Sequence, residues 1–196
     1  MLWWHIFKLR NHNLFIKVQL WKTLKIRTTG IESRVKGTPF QCIFLDYDNI
    51  TFETLIEDEL QPLQEWFEIG NFYVFQTGDL SYHCICIDAL TAKETHTTVN
   101  ASGCDQAFKR AVLINEHRNW VLRFDEKGNR PPPKYICKVE SPYEGHNPQS
   151  VGHATYLKKF GIEIELKNPI GENRIGIEGY STSDEHTKEG ENNAAE

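Results

Sequence analysis

The chain reads as an α+β domain with a mostly antiparallel sheet and flanking helices. Two observations carry that reading. First, runs with strand-like alternation are joined by short turns, clearest over residues 71–88, where Asn71 to Thr77 and Ser81 to Asp88 flank Gly78-Asp79-Leu80. Second, the elements follow the order β-α-β-β-α-β-β-α-β, which suits a sheet with helices laid on it. At 196 residues the chain is expected to form one domain with a core that needs no disulfide staples.

The elements are justified in turn. Leu14 to Arg27 mixes aliphatic, aromatic and basic residues, compatible with extended strands or a short helix. Gln41 to Asp48 is an apolar run that ends in acids and reads as a buried strand. Residues 51–69 repeat Ile56, Leu60, Leu63 and Phe67 at helical spacing, with Pro62 expected to kink the helix and Gly70 to end it. In the return strand, His83, Ile85 and Ile87 share one face and Tyr82, Cys84 and Cys86 the other. Residues 91–99 suit a short helix and residues 104–115 a better one. Asn119 to Phe124 is expected to pair with Lys134 to Val139 across a basic hairpin. Ser150 to Phe160 reads as a helix closed by Gly161, and Ile162 to Leu166 as a last strand.

Charge divides the chain. From Lys8 to Lys36 there are eight Lys or Arg residues against Glu32, whereas nine acids from Gly161 onward face only Lys167, Arg174 and Lys188. Residues 1–38 are therefore expected to be a basic N-terminal segment packed on the core, 39–180 the functional domain, and 181–196 a disordered acidic tail. A basic segment can neutralise phosphates, although a solvated amphipathic surface has the same composition. Lys8, Arg10 and Lys17 interrupt the N-terminal apolar stretches, so neither a signal-peptide core nor a membrane span is expected. Five cysteines without a Cys-x-x-Cys spacing fit a reducing cytoplasm better than a disulfide framework or a zinc ribbon.

Four constellations could carry chemistry. Asp46 and Asp48 close a strand on the same face, where two carboxylates repel unless a cation lies between them or one keeps its proton. A hard divalent ion is one resolution, and a solvated Asp-Asn turn is the plain alternative. Ser81 and His83 open a strand otherwise built for a core, where His83 could equally be a satisfied core-edge histidine. Asp105 precedes an amphipathic helix and suits an N-cap. Arg123, Lys127, Arg130 and Lys134 cluster around the expected hairpin turn.

Taken in order, Asp46-Tyr47-Asp48, Ser81-Tyr82-His83, Cys104-Asp105 and the basic cluster resemble the archaeo-eukaryotic primase superfamily, nearest its compact primase-polymerase and replication proteins of plasmids and viruses. The resemblance covers about residues 40 to 140. It implies an RRM-like catalytic core and template-directed nucleotidyl transfer on single-stranded DNA with nucleoside triphosphates. It further implies a two-metal Mg²⁺ or Mn²⁺ site held by Asp46, Asp48 and Asp105, with Asp125 the other candidate for the third acid. By the same resemblance His83 contacts the incoming phosphates with Ser81 beside it, and Arg123 and Lys127 add triphosphate or template contacts. The family's cysteine–histidine knuckle is missing, so no zinc is expected, and a helicase would act in trans. On this reading Asp46 and His83 must converge within reach of one nucleotide.

Phe44-Leu45-Asp46-Tyr47-Asp48-Asn49 also looks like the first strand of PIN/NYN-type metal nucleases and of haloacid-dehalogenase phosphatases, both parallel-sheet folds. The phosphatase pattern wants a Thr where Ile50 stands, so the nuclease is the runner-up. A rolling-circle endonuclease would need a second histidine where Ile85 stands. A catalytically inactive nucleic-acid-binding domain is the non-enzymatic alternative.

Overall fold

The computed structural model describes residues 2–9, 12–19, 28–114, 118–126 and 131–180. Expectations for Lys127, Arg130 and the acidic tail from residue 181 lie outside the described residues. The chain divides into two units, one of residues 1–27 with 181–196 and one of residues 28–180. In the first, β1 (Leu2–Leu9) and β2 (His12–Gln19) form an antiparallel hairpin with Leu2 opposite Gln19.

The second unit holds the rest. It begins at Thr28, so residues 28–38, grouped by charge with the basic segment, belong to it; β3 (Thr28–Glu32) is one of its strands. Its main sheet contains β4 (Gln41–Asp48), β5 (Phe72–Gly78), β6 (Ser81–Leu90) and β8 (Lys134–Val139). The order is β4-β6-β5-β8 and every pairing among the four is antiparallel. Short β9 (Gln149–Ser150) joins β6 at Asp88 and pairs in parallel with β10 (Pro169–Ile170). A separate antiparallel sheet sets β3 between β7 (Val121–Arg123) and β11 (Ile177–Tyr180). The fold is thus α+β and dominated by antiparallel pairing.

Two expectations about strands are corrected here. Asn119–Phe124 and Lys134–Val139 do not form a hairpin: β7 pairs with β3 and β8 with β5. Pro131-Pro132-Pro133 offers no backbone N–H to a tight ladder, so the chain leaves β7 before it re-enters a sheet. Ile162 to Leu166 is not a strand; Ile162 and Ile164 are buried from a loop instead.

The helices start where side chains can cap them. Thr51 Oγ1 accepts from the Thr54 amide, opening α1 (Phe52–Thr54). A π-helical turn follows (Leu55–Leu60), then α2 (Gln61–Phe67) with Pro62 in its first turn. Pro62 thus lies inside a helical run continuous from Phe52 to Phe67, and the π-helical irregularity falls just before the proline that removes an intrahelical donor. The helix ends at Glu68 in the left-handed conformation (φ 49°), two residues before the expected Gly70. Gly70 has a different job: its amide donates to the Asp88 carboxylate at 2.8 Å, and a Cβ there would lie 2.9 Å from the second oxygen. A reciprocal Thr91–Glu94 capping box opens α3 (Ala92–Ala101). Then come α4 (Gln106–Ile114) and α5 (Val151–Leu157), the latter capped by Ser150. A 3₁₀ turn, Lys158–Phe160, is closed by left-handed Gly161.

Both faces of the main sheet are covered, which is why β4 is apolar on both. On one, Leu45, Tyr47, Cys84 and Val74 are buried, with Leu55, Leu60 and Leu63 of the 52–67 helix packed over that side. On the other, Phe75 meets Phe124 and Phe160 edge-on at centroid separations of 5.1 and 5.2 Å, and Phe44 meets His153 at 5.6 Å. Among the described residues no helix is long and apolar enough to cross a membrane.

Candidate functional site

The register of β4 against β6 builds the site. Asp46 lies opposite His83, Tyr47 opposite Tyr82 and Asp48 opposite Ser81. Paired residues of an antiparallel ladder project to the same face, so both acids, the serine and the histidine share one side at the end of the sheet. Tyr47 and Tyr82 point the other way into the core and hold the register, since a one-residue slip would bury the acids and expose two phenols.

Contacts within the cluster are short. The Ser81 hydroxyl donates to Asp48 Oδ1 at 2.6 Å, and His83 Nε2 stands 3.5 Å from Asp46 Oδ1. Asp48 is exposed and Asp46 half-buried, whereas His83 is only 6 % exposed. His83 leans on Phe124, with ring centroids 6.2 Å apart, and its Nδ1 is buried without a hydrogen-bond partner. Burial above all, with the neighbouring Arg123 guanidinium, lowers the His83 pKa to about 3, partly offset by the Arg123 backbone. The imidazole is therefore neutral at physiological pH, with Nε2 the ring nitrogen that faces Asp46. As placed, His83 faces a carboxylate rather than solvent.

Asp105 reaches the site through its backbone. Its amide donates to the Asp46 carbonyl at 2.8 Å, filling an open position on the edge of β4. Its Oδ1 accepts from the Phe108 amide at 2.8 Å, the N-cap bond of α4. The plain reading of Asp105 as a cap thus holds, and the same residue is tied to Asp46. Asp125 is exposed in the bend after β7, where its backbone carbonyl takes the Arg123 guanidinium. Arg123 also reaches the Pro131 carbonyl at 3.4 Å. The topology brings Asp46, Asp48, Ser81, His83, the Asp105 backbone and Arg123 to one end of the sheet; Lys127 is outside the described residues.

Among the described residues, no group of three or more His, Cys, Asp or Glu side chains is drawn together closely enough to hold an ion unaided. The residues available to hold Mg²⁺ are Asp46 and Asp48. That ion is commonly bound by one or two carboxylates and completes its shell with substrate phosphates and water. The oxygen-only, half-exposed donor pair suits such shared ligation and does not suit a closed zinc site.

Sequence reasoning missed two groups. Phe124 walls off His83, and Glu59 accepts from both the Tyr47 hydroxyl (3.1 Å) and the Gly103 amide (2.6 Å). Helical periodicity marks Glu59 only as a polar position, and nothing local links it to a loop 44 residues away. Comparison with family models, curated proteins and solved structures found no match to this chain.

Proposed function

We propose that the chain is a metal-dependent nucleotidyltransferase of the primase type, copying a single-stranded DNA template from nucleoside triphosphates in the replication of a plasmid or virus. The observation that carries this reading is the cross-strand register: Asp46 faces His83, and Asp48 faces Ser81, at the open end of an antiparallel sheet. The motif order resembling the primase superfamily was read from sequence alone, and it required that convergence. A PIN/NYN-like nuclease is the runner-up, disfavoured because β4, β6, β5 and β8 pair antiparallel. We read those four strands and their helices as the RRM-like core, and the location as cytoplasmic.

Each residue has a chemical role on this reading. Asp46 and Asp48 offer carboxylate oxygens to Mg²⁺ or Mn²⁺, with Asp105 the third acid. When bound, the ion neutralises triphosphate charge and lowers the pKa of the attacking 3′-hydroxyl. His83 stands beside Asp46 and contacts the phosphates of the incoming nucleotide. The Ser81 hydroxyl donates to Asp48 Oδ1 and holds that carboxylate in place. Arg123 supplies positive charge beside His83 for the triphosphate or template backbone.

The test uses primed and unprimed single-stranded templates, labelled nucleoside triphosphates and Mg²⁺ or Mn²⁺. Synthesis that disappears in Asp46→Ala and Asp48→Ala is the expected result. Metal-dependent degradation of the template without synthesis would move the assignment to the nuclease. Binding of single strands with neither activity would make the chain an inactive replication protein.

A further inference from the structure

We infer that Glu59 is a positioning residue, whose carboxylate ties the strand carrying Asp46 and Asp48 to the loop carrying Asp105. The inference rests on the nucleotidyltransferase reading, because it concerns how the third acid of that site is held.

One carboxylate oxygen makes both ties. Glu59 Oε2 accepts from the Tyr47 hydroxyl at 3.1 Å and from the Gly103 amide at 2.6 Å. Tyr47 sits between the two acids, with its ring sent through the opposite face and only 2 % exposed. A phenol buried there needs an acceptor, and Glu59 supplies it. Burial first, and the Glu59 charge among further causes, keep that hydroxyl protonated and donating.

Gly103 is the matching feature in the loop. A Cβ at this position would stand 2.3 Å from Glu59 Oε1, so any other residue would push the carboxylate off its present seat against the loop. Two residues later the Asp105 amide bonds the Asp46 carbonyl. A closed circuit results: Asp46, Tyr47, Glu59, Gly103, Cys104, Asp105 and back to Asp46. The rest of the loop is also tied down, since the Cys104 amide bonds Ser102 Oγ and the Lys109 ammonium bonds the Asn100 and Ser102 carbonyls. Glu59 belongs to the π-helical turn Leu55–Leu60, an irregularity that recurs at functional sites. Both bonds are charge-assisted, and together they fix the strand that carries two of the acids against the loop that carries the third.

The experiment compares full-length wild type, Glu59→Ala and Glu59→Gln. It follows amide hydrogen exchange at Gly103 and Asp105, melting temperature, and template-directed synthesis resolved into kcat and nucleotide KM. Glu59→Ala should speed exchange at both amides by about tenfold or more and lower kcat about tenfold, with KM within about twofold. Glu59→Gln, whose amide oxygen can still accept from both donors, should restore both readouts. In an Asp105→Ala background, Glu59→Ala should lower the residual kcat no further. A lowered melting temperature with unchanged kcat, or independent losses in the double variant, would overturn the assignment. If wild type synthesises nothing, the functional reading fails by itself, and unchanged exchange at Asp105 in Glu59→Ala separately refutes the clamp. Should Glu59→Ala not fold, Tyr47→Phe removes one arm of the bridge and carries the same measurements.

Discussion

Acid should weaken this fold through His83 before it titrates any paired carboxylate, and the size of the effect follows from the site. In the native state the imidazole is held neutral, its pKa lowered to about 3 by burial and then by Arg123. In the unfolded chain the same ring titrates near 6.5. Above that pH both states carry a neutral ring and the group contributes no pH dependence. Below it, the unfolded chain takes up a proton that the native chain refuses, so stability falls as pH falls, at about 1.4 kcal/mol per pH unit. By pH 5 the loss reaches about 2 kcal/mol, and it flattens near pH 3. Asp46, 3.5 Å from Nε2, works in the opposite direction because a carboxylate favours the imidazolium, so about 2 kcal/mol is a ceiling.

Urea unfolding at pH 7, 6 and 5 measures this directly. His83→Gln keeps a donor near Asp46 but cannot titrate, and its stability should fall less between pH 7 and 5 than that of wild type, by up to about 2 kcal/mol. Parallel loss in the two proteins would refute the argument, and with it the claim that the site contains a neutral histidine. His153 provides the internal comparison. It is buried with its pKa lowered to about 4, chiefly by desolvation, yet both its nitrogens are bonded, Nδ1 to Ser150 and Cys42 and Nε2 to the Glu32 carbonyl. His153→Gln should flatten the same pH window, at a larger cost in stability at pH 7 because those bonds are lost.

The remaining expectations concern neighbouring features. Gly70→Ala places a Cβ against the buried Asp88 carboxylate and should cost about 1–3 kcal/mol by chemical denaturation, far more than a helix-ending glycine would predict. Asp105→Asn should keep the α4 cap and lose less than about 1 kcal/mol, while Asp105→Ala should lose about 0.5–2 kcal/mol; both should lower kcat steeply, to a measurable residue, if the acid is a ligand. Cys42, Cys84, Cys86 and Cys104 are buried, so a thiol reagent should modify the folded chain at the half-buried Cys137 first and reach all five only in denaturant.

What could be read without coordinates was whatever local pattern decides. Gln41–Asp48, the hairpin of β5 and β6, and the capped helices α3, α4 and α5 follow from alternation, helical spacing and capping chemistry, and each was legible. Strand partners were not. Lys134–Val139 follows Asn119–Phe124 closely enough to suggest a hairpin, but pairing is decided by which edge needs covering, and the open edge of β5 lies far away in sequence. Ile162–Leu166 alternates like a strand because Ile162 and Ile164 are indeed buried, yet burial on one side without a ladder partner makes a packed loop. Gly70 looked like a helix stop because glycine usually is one; its actual constraint is a carboxylate 18 residues ahead.

The site divides along the same line. Asp46, Asp48, Ser81 and His83 were legible because both strands alternate strictly, and one antiparallel register brings every member of the set to one face. What alternation could not convey is that β4 is an edge strand. An edge carbonyl must find a donor, and the donor here is the amide of Asp105, so the same physical demand that finishes the sheet also brings Asp105 to Asp46. That coupling gives Asp105 two duties that substitution can separate: its backbone completes β4 whatever the side chain, while its carboxylate caps α4 and, on the proposed reading, serves as the third acid. Loss of synthesis with the sheet intact in Asp105→Asn would therefore isolate the carboxylate's charge as the functional element, since the amide side chain preserves the cap and the backbone bond does not depend on the side chain at all.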